Sequence, residues 1–243
     1  VKLLFDIGNS RAKYVLYHNG QMSKTHYIER TQLTNTWLSA NFTDVSHCLV
    51  ANVAQIEVGQ VISTWCQQQQ INFQLLTSEA NRFGVRCAYQ QPLSFGVDRW
   101  LALLGAQHLY PNQPCLIVDA GTATTLDVLL ADGTHKGGWI LPGVHLLCSS
   151  LLNNTEQVNA QVKTLPTIAF ADNTCDAVNQ AAWAATLSSI NFAKQRAEQE
   201  FNTDGQEFVL LLTGGNAKQL AHLSSANYQV VEQLIFVGML RYL

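Results

Sequence analysis

The chain has 243 residues, 47% of them hydrophobic and only 13% charged, with a formal net charge of −3. That is ample apolar material for one large core or two ordinary ones, while the few scattered Lys and Arg exclude the basic footprint of a nucleic-acid binder. No apolar run approaches the roughly 18 residues of a membrane span, so no membrane partner is expected.

Three strands are predicted first, at 2–6, 11–17 and about 21–28, joined by tight turns at 8–10 and 18–20. "LTNTWLSANF" reads as a short helix, "HCLVANV" as a buried strand, "VGQVISTWCQQQQ" as a helix and "FQLLT" as another strand. The helix "VDRWLALLGAQHL" follows, and the two prolines of "YPNQP", 110–114, break it and mark a joint. Strands near 115–119, 124–130 and 134–140 come next, with "ADG" as a hairpin turn. A helix starts after Pro142 and Gly143, and a long one runs from about Thr174 to Phe201. The strand in "FVLLLTGGNAKQL" leads into a helix, and the chain closes on a helix containing "LIFVGMLRYL". Strand–helix alternation after a meander predicts α/β architecture.

The chain also repeats itself. "LLFDIGNSRAKYVLYHNG" and "LIVDAGTATTLDVLLADG" superpose without a gap at an offset of 113 positions, which puts Asp6 on Asp119, Gly8 on Gly121, Val15 on Val128 and Gly20 on Gly133. Two similar halves, 1–112 and 113–243, are therefore expected. The N-terminus enters its first strand at once, with no charged segment and apolar stretch of the signal-peptide kind. None of the six cysteines forms a C-x-x-C pair, and no two of the seven histidines are spaced H-x-x-x-H. Reduced thiols, no zinc site and a cytoplasmic location are the expectation.

Three strand ends share one design. Asp6–Gly8, Asp119–Gly121 and Thr213–Gly215 each place small residues directly after an apolar strand, where backbone N–H groups can approach an anion. Ser10, Thr122 and Thr124 add hydroxyl donors. An Asp beside such a loop repels a bare phosphate but suits one that carries a cation. Taken singly, each is an ordinary turn; the repeat is what raises them above that.

The ordered set "DIGNSR", "GVDRW", "DAGTATT" with "GGWILPG", and "TGGN" resembles the type III pantothenate kinases, members of the actin, heat-shock-chaperone and sugar-kinase superfamily. The resemblance covers nearly the whole chain. It implies two duplicated ribonuclease-H-like domains with a nucleotide cleft between them, and ATP-dependent phosphorylation of pantothenate to 4′-phosphopantothenate, the first step to coenzyme A. It further implies Mg²⁺, a monovalent cation (K⁺ or NH₄⁺) and a homodimer. The first phosphate loop would be Asp6, Ile7, Gly8, Asn9, Ser10, Arg11, Ala12 and Lys13, with Asp6 near Mg²⁺ and Ser10 in place of the family's usual Thr. Asp119 matches the monovalent-cation ligand, Thr122 a phosphate contact, and Thr213, Gly214 and Gly215 the adenosine segment. Gly96, Val97, Asp98 and Arg99 match the substrate motif with Asp98 as base, and Tyr89 matches a pantothenate contact. Thr174 matches a contact offered to the partner subunit.

By position alone, Asp98 is equally an acid in the first turn of a helix, favoured by the dipole. Arg99 reads either as a carboxylate partner or as a solvated surface residue, and Tyr89 either as a ligand contact or as a core aromatic. The Ala-rich helix after Thr174 suits a subunit interface or packing within one chain. Alternative functions are another small-molecule kinase or phosphatase of the superfamily, or a regulatory accessory factor. The absence of a basic face or reading helix disfavours DNA binding.

Overall fold

The computed structural model describes residues 1–154, 167–201, 203 and 205–243. The chain divides into two compact units. The first holds Val1–Phe83, Tyr89–His108 and Gln233–Leu243; the second holds Gly84–Ala88 and Leu109–Glu232. The expected single division at 112/113 is thus corrected, because the final segment packs with the first unit.

The first unit contains β1 (Lys2–Ile7), β2 (Arg11–His18), β3 (Gln21–Met22), β4 (His26–Glu29), α1 (Asn35–Asn41), β5 (His47–Asn52), α2 (Ile56–Gln68) and β6 (Asn72–Leu75). Its sheet runs β3-β2-β1-β5-β6, with β4 also on β2. β1 is antiparallel to β2 and parallel to β5. Five of the six residues of β1 are buried, the continuous run expected of a strand covered on both faces. One face packs Leu3, Phe5 and Ile7 against Leu38 of α1 and Ile62 and Trp65 of α2. The third predicted strand, 21–28, is broken into β3 and β4: the pairing with β2 shifts by one residue between Tyr17↔Met22 and Tyr14↔His26, and the Leu16 N–H donates to the Ser23 hydroxyl instead of a backbone carbonyl. Short strands β7 (Asn81–Arg82) and β8 (Val85–Arg86) lie in the stretch where the chain leaves this unit, and α3 (Val97–Leu109) follows.

In the second unit come β9 (Cys115–Ala120), β10 (Ala123–Leu129), β11 (His135–Pro142), α4 (Val144–Asn154), α5 (Thr174–Glu200), β12 (Val209–Thr213), α6 (Ala217–Leu223) and β13 (Tyr228–Val230). The sheet order is β11-β10-β9-β12-β13, with β12 parallel to β9. This is the first unit's arrangement again: an antiparallel hairpin extended by two parallel strands. α5 packs within the unit through Val178, Ala182, Trp183, Leu187, Ile190, Ala193 and Ala197, one stripe at helical spacing. The chain then passes into α7 (Leu234–Leu240) of the first unit.

The internal repeat is real but its gapless alignment is not. Lys13 faces Asp6 across the first hairpin, whereas Thr125 faces Asp119 across the second, an offset of 112 along the returning strand. The loop between β9 and β10 is one residue shorter than its counterpart. A slip of one residue reverses which side chains face inward. Ala12 and Val15 are accordingly matched in burial by Thr124 and Asp127, not by Thr125 and Val128. The next turn is one residue longer in the second unit, so the offset of 113 returns at Gly20 and Gly133.

Candidate active site

In the first unit, β1 delivers Asp6 and Ile7 into a turn closed by the Gly8 N–H donating to the Arg11 carbonyl at 3.2 Å. Asn9 and Ser10 are exposed at its tip, and Arg11 lies over the Tyr27 ring at 4.3 Å. The Asp6 side chain is buried, and Lys13 reaches it from β2 with Nζ 3.3 Å from Oδ2. The second acidic group of this unit stands at the start of α3. The Gly96 carbonyl accepts the Trp100 N–H at 3.0 Å, opening the helix. Asp98 folds back so that Oδ1 accepts the Arg99 N–H at 2.8 Å. A methyl group on Gly96 would sit 2.6 Å from that Oδ1, so the glycine leaves the carboxylate its room. Burial pushes the Asp98 carboxyl above its usual range, the Arg99 N–H opposes this, and the charge of Asp6 adds to the rise.

Arg99 is 6% exposed, which removes the surface reading. Its Nη1 donates to the Tyr89 hydroxyl at 3.2 Å, and its guanidinium lies 4.6 Å from the centre of the Phe95 ring. Tyr89 and Phe95 pack with centroids 4.8 Å apart. An aromatic corner therefore fixes one edge of a planar cation, an arrangement suited to a carboxylate on another edge. Next to Gly96 and Val97 opens a cavity of about 490 Å³, walled by Ile56, Leu75 and Leu93 and by other uncharged residues. Phe95 was not foreseen as part of this corner; its only sequence signal was its place directly before Gly96.

In the second unit, the Gly121 N–H donates to the Ala123 carbonyl at 3.0 Å and leaves Thr122 exposed. Three segments meet here. The Gly143 N–H, just before α4, donates to the Thr122 carbonyl at 3.0 Å. The Asn216 N–H donates to the Ala120 carbonyl at 3.0 Å, and Thr213 pairs with Asp119 in the sheet. Gly214 has φ +88°, and a side chain there would strike the Asp119 carboxylate and the Ala120 backbone, so only glycine serves. Gly215 is exposed beside it and Thr213 is buried. Asp119, Thr122, Thr213 and Gly214 are thus brought together. Thr174 stands elsewhere in this unit, exposed as the first residue of α5, on a hollow of about 550 Å³ that also touches Leu151 and Ala181. Asn173 caps that helix by accepting the Asp176 N–H at 3.0 Å.

Both cation expectations meet oxygen chemistry. Among the described residues no group of three or more His, Cys, Asp or Glu could hold a metal. A single carboxylate, as at Asp6, fits a Mg²⁺ that arrives largely coordinated by phosphate oxygens and water. The Asp119 carboxylate lies beside the backbone of Ala120, an oxygen donor set that fits a monovalent cation.

Two sheets of one topology, each with an Asp-Gly turn after its central strand, make a fold that solved structures share. A candidate 2-dehydro-3-deoxygalactonokinase from Sinorhizobium meliloti shares it, at 13% identity and TM-score 0.62, over 99% of this chain and 97% of that one. So does a conserved candidate Baf family transcriptional activator from Campylobacter jejuni, at 23% identity and TM-score 0.63, over 98% and 96%. The family model of type III pantothenate kinase matches residues 2–196. A type III pantothenate kinase of Colwellia psychrerythraea is 42% identical over 99% of both chains. The chain belongs to the type III pantothenate kinases.

Proposed function

We propose that this protein transfers the γ-phosphoryl group of ATP to the primary hydroxyl of pantothenate, giving 4′-phosphopantothenate for coenzyme A synthesis in the cytoplasm. The observation that carries the reading is the half-buried Asp98 carboxylate, set at the start of α3 beside the Arg99–Tyr89–Phe95 corner. Phosphoryl transfer asks chiefly for positioning and charge neutralisation, plus an acceptor for the hydroxyl proton. Asp98 accepts that proton, and its raised carboxyl makes it a better base than an ordinary aspartate. Arg99 binds the pantothenate carboxylate, with Tyr89, Gly96 and Val97 against the body of the substrate.

The turn from Asp6 to Lys13 holds phosphate oxygens through its backbone and the Ser10 hydroxyl, and Thr122 offers a further hydroxyl for phosphate. Thr213, Gly214 and Gly215 take the adenosine. Mg²⁺ near Asp6 and K⁺ or NH₄⁺ at Asp119 neutralise phosphate charge when bound. The working form is a homodimer in which Thr174 serves the partner subunit's substrate. Exposed apolar surface supports this: Trp139 and Phe192 stack with centroids 5.9 Å apart, and each is at least 40% exposed. ADP release measured with pantothenate against a panel of sugars and acetate tests the reading. Turnover with pantothenate alone is expected, and turnover with a sugar or acetate instead would overturn it.

A further inference from the structure

Residues 233–243 lie beyond the stretch that matches the family model, yet they return to the first unit. α7 lies against β1, the strand that carries Asp6, and against α3, the helix that carries Asp98 and Arg99. The contact with α3 runs through one glycine on each helix. A methyl group on Gly105 would strike the Leu234 carbonyl oxygen, and one on Gly238 would strike the Leu101 carbonyl oxygen. The two backbones can approach this closely only because both side chains are missing.

Just past α7, Tyr242 completes the attachment. Its hydroxyl accepts the Trp100 Nε1–H at 3.0 Å and donates to Glu79 Oε1 at 2.8 Å. Burial pushes that hydroxyl up to about 12, so it keeps the proton it donates. Trp100 is fully buried in the first turn of α3, two residues after Asp98, and a buried indole N–H needs an acceptor. The segment is tied at its other end too, where Gln233 Nε2 donates to the Ser23 carbonyl at 2.8 Å and to Thr25 Oγ1 at 3.2 Å. Phe83 packs edge-on against Tyr242, and Arg82 and Arg241 both lie over the Phe83 ring, at 4.8 and 5.0 Å.

We infer that the C-terminal segment is the positioning element of the catalytic helix: Tyr242, through Trp100, holds the first turn of α3 where Asp98 and Arg99 meet the substrate. The inference rests on Asp98 being the base. Reactive groups displaced by about 1 Å lose on the order of 100-fold in rate, so a hydroxyl that fixes this turn has kinetic weight without touching substrate. A purely structural Tyr242 would change only the melting temperature.

The charged groups around Asp98 are Asp6 from β1, with Lys13 of β2 paired to it, and Arg99 of its own helix. Glu79 and Arg82 act on Tyr242 instead. All of them remain in Tyr242→Phe, which removes only the hydroxyl. The test compares wild type with Tyr242→Phe by kcat, by KM for ATP, by thermal melting and by the Asp98 carboxyl titration followed with ¹³C NMR. We expect a folded variant with kcat down by about tenfold, as a partial displacement would give. KM for ATP should be unchanged, and the Asp98 midpoint should fall toward the ordinary carboxylate range as water reaches a loosened turn. Gly238→Ala should act in the same direction and more strongly. A folded Tyr242→Phe with unaltered kcat and an unmoved Asp98 midpoint would overturn the inference, as would a loss confined to melting temperature. The NMR titration decides the positioning even if wild type fails to use pantothenate, a result that would refute the proposed activity instead.

Discussion

In the first unit the aspartate that ends the central strand faces Lys13 across the hairpin, while in the second the residue facing Asp119 is Thr125. Asp6 is 5% exposed and carries its own ammonium partner at 3.3 Å. Asp119 is more open and is bordered by Gly214 and the Ala120 backbone. Two turns of one design thus have two electrostatic characters. An ammonium stands across the strand from the first aspartate, and a neutral hydroxyl side chain across from the second. The lesson is that duplicated turns diverge by what stands across the strand, with their own glycines kept.

The largest effect expected comes from neither loop. Asp98→Asn should lower kcat by about 10²–10⁴, the usual worth of a general base, with ATP binding unchanged. Because the Asp98 carboxyl is raised by burial, wild-type kcat should fall with decreasing pH through a value above the ordinary carboxylate range. The stability sign is opposite to that of a paired carboxylate. The folded protein bears the cost of the charged form at higher pH and is relieved as pH drops through the raised value. Asp98→Asn should therefore melt no lower than wild type at pH 7, and a clear drop would make Asp98 a helix-start residue chiefly.

Next in size is the effect of the monovalent cation proposed at Asp119. Replacing K⁺ and NH₄⁺ by tetramethylammonium, with Mg²⁺ retained, should lower wild-type turnover by about 10², the scale of losing one electrostatic stabiliser. Thr125→Lys places an ammonium where Lys13 stands in the first unit, and should recover at least about a tenth of the rate without K⁺, within about 1.4 kcal/mol of the full barrier reduction. Activity of wild type unaffected by the exchange would erase the contrast between the loops. Smaller again is Lys13→Met, which leaves the buried Asp6 carboxylate without its ammonium and should cost about 1–2 kcal/mol in urea unfolding. Thr125→Val should cost well under that. Equal losses would show that the facing residue does not matter.

The smallest effect concerns the turns that follow the hairpins. Asn19 and Gly20 make a two-residue turn with φ of +49° and +81°. The longer turn of the second unit is held by Asp132, which accepts the Thr134 N–H at 2.9 Å and pairs with Arg86 at 2.6 Å. The Thr134 N–H and hydroxyl, with Arg86, hold the Asp132 carboxyl below its usual range. Its contribution is present above the unfolded value and disappears as pH falls through the folded one. At an exposed site Asp132→Asn should cost no more than about 0.5 kcal/mol at neutral pH, and less in acid.

The hairpins, the central strands and the long helix were legible because each is written locally, as an apolar run or a helical stripe closed by turn residues. The register of the second hairpin was not. Its loop is shorter by one residue, and an apparent gapless match at Val15 and Val128 conceals that, since both residues are aliphatic. The Asp98–Arg99 pair was legible as a motif, but its surroundings were not. That Arg99 lies buried over Phe95 depends on how the 89–95 stretch folds back, and side-chain stacking leaves no periodic trace. The docking of α7 on α3 was hidden for the same reason: Gly105 and Gly238 are far apart in sequence, and each looks like a minor weakness in its own helix.

The discontinuity of the first unit has a consequence for the order of synthesis. A chain growing from its N-terminus makes β1, the Asp6 turn and α3 early, then all of 109–232, and only then α7. Until that moment the face of β1 and the side of α3 that α7 covers stay open to water, and Trp100 lacks the Tyr242 hydroxyl. Domains ordinarily fold as units in the order they are translated. Here the unit that starts first waits for a segment made after the second, so the nascent chain carries an unsealed apolar surface while 109–232 is made, with the start of α3 not yet fastened by Tyr242.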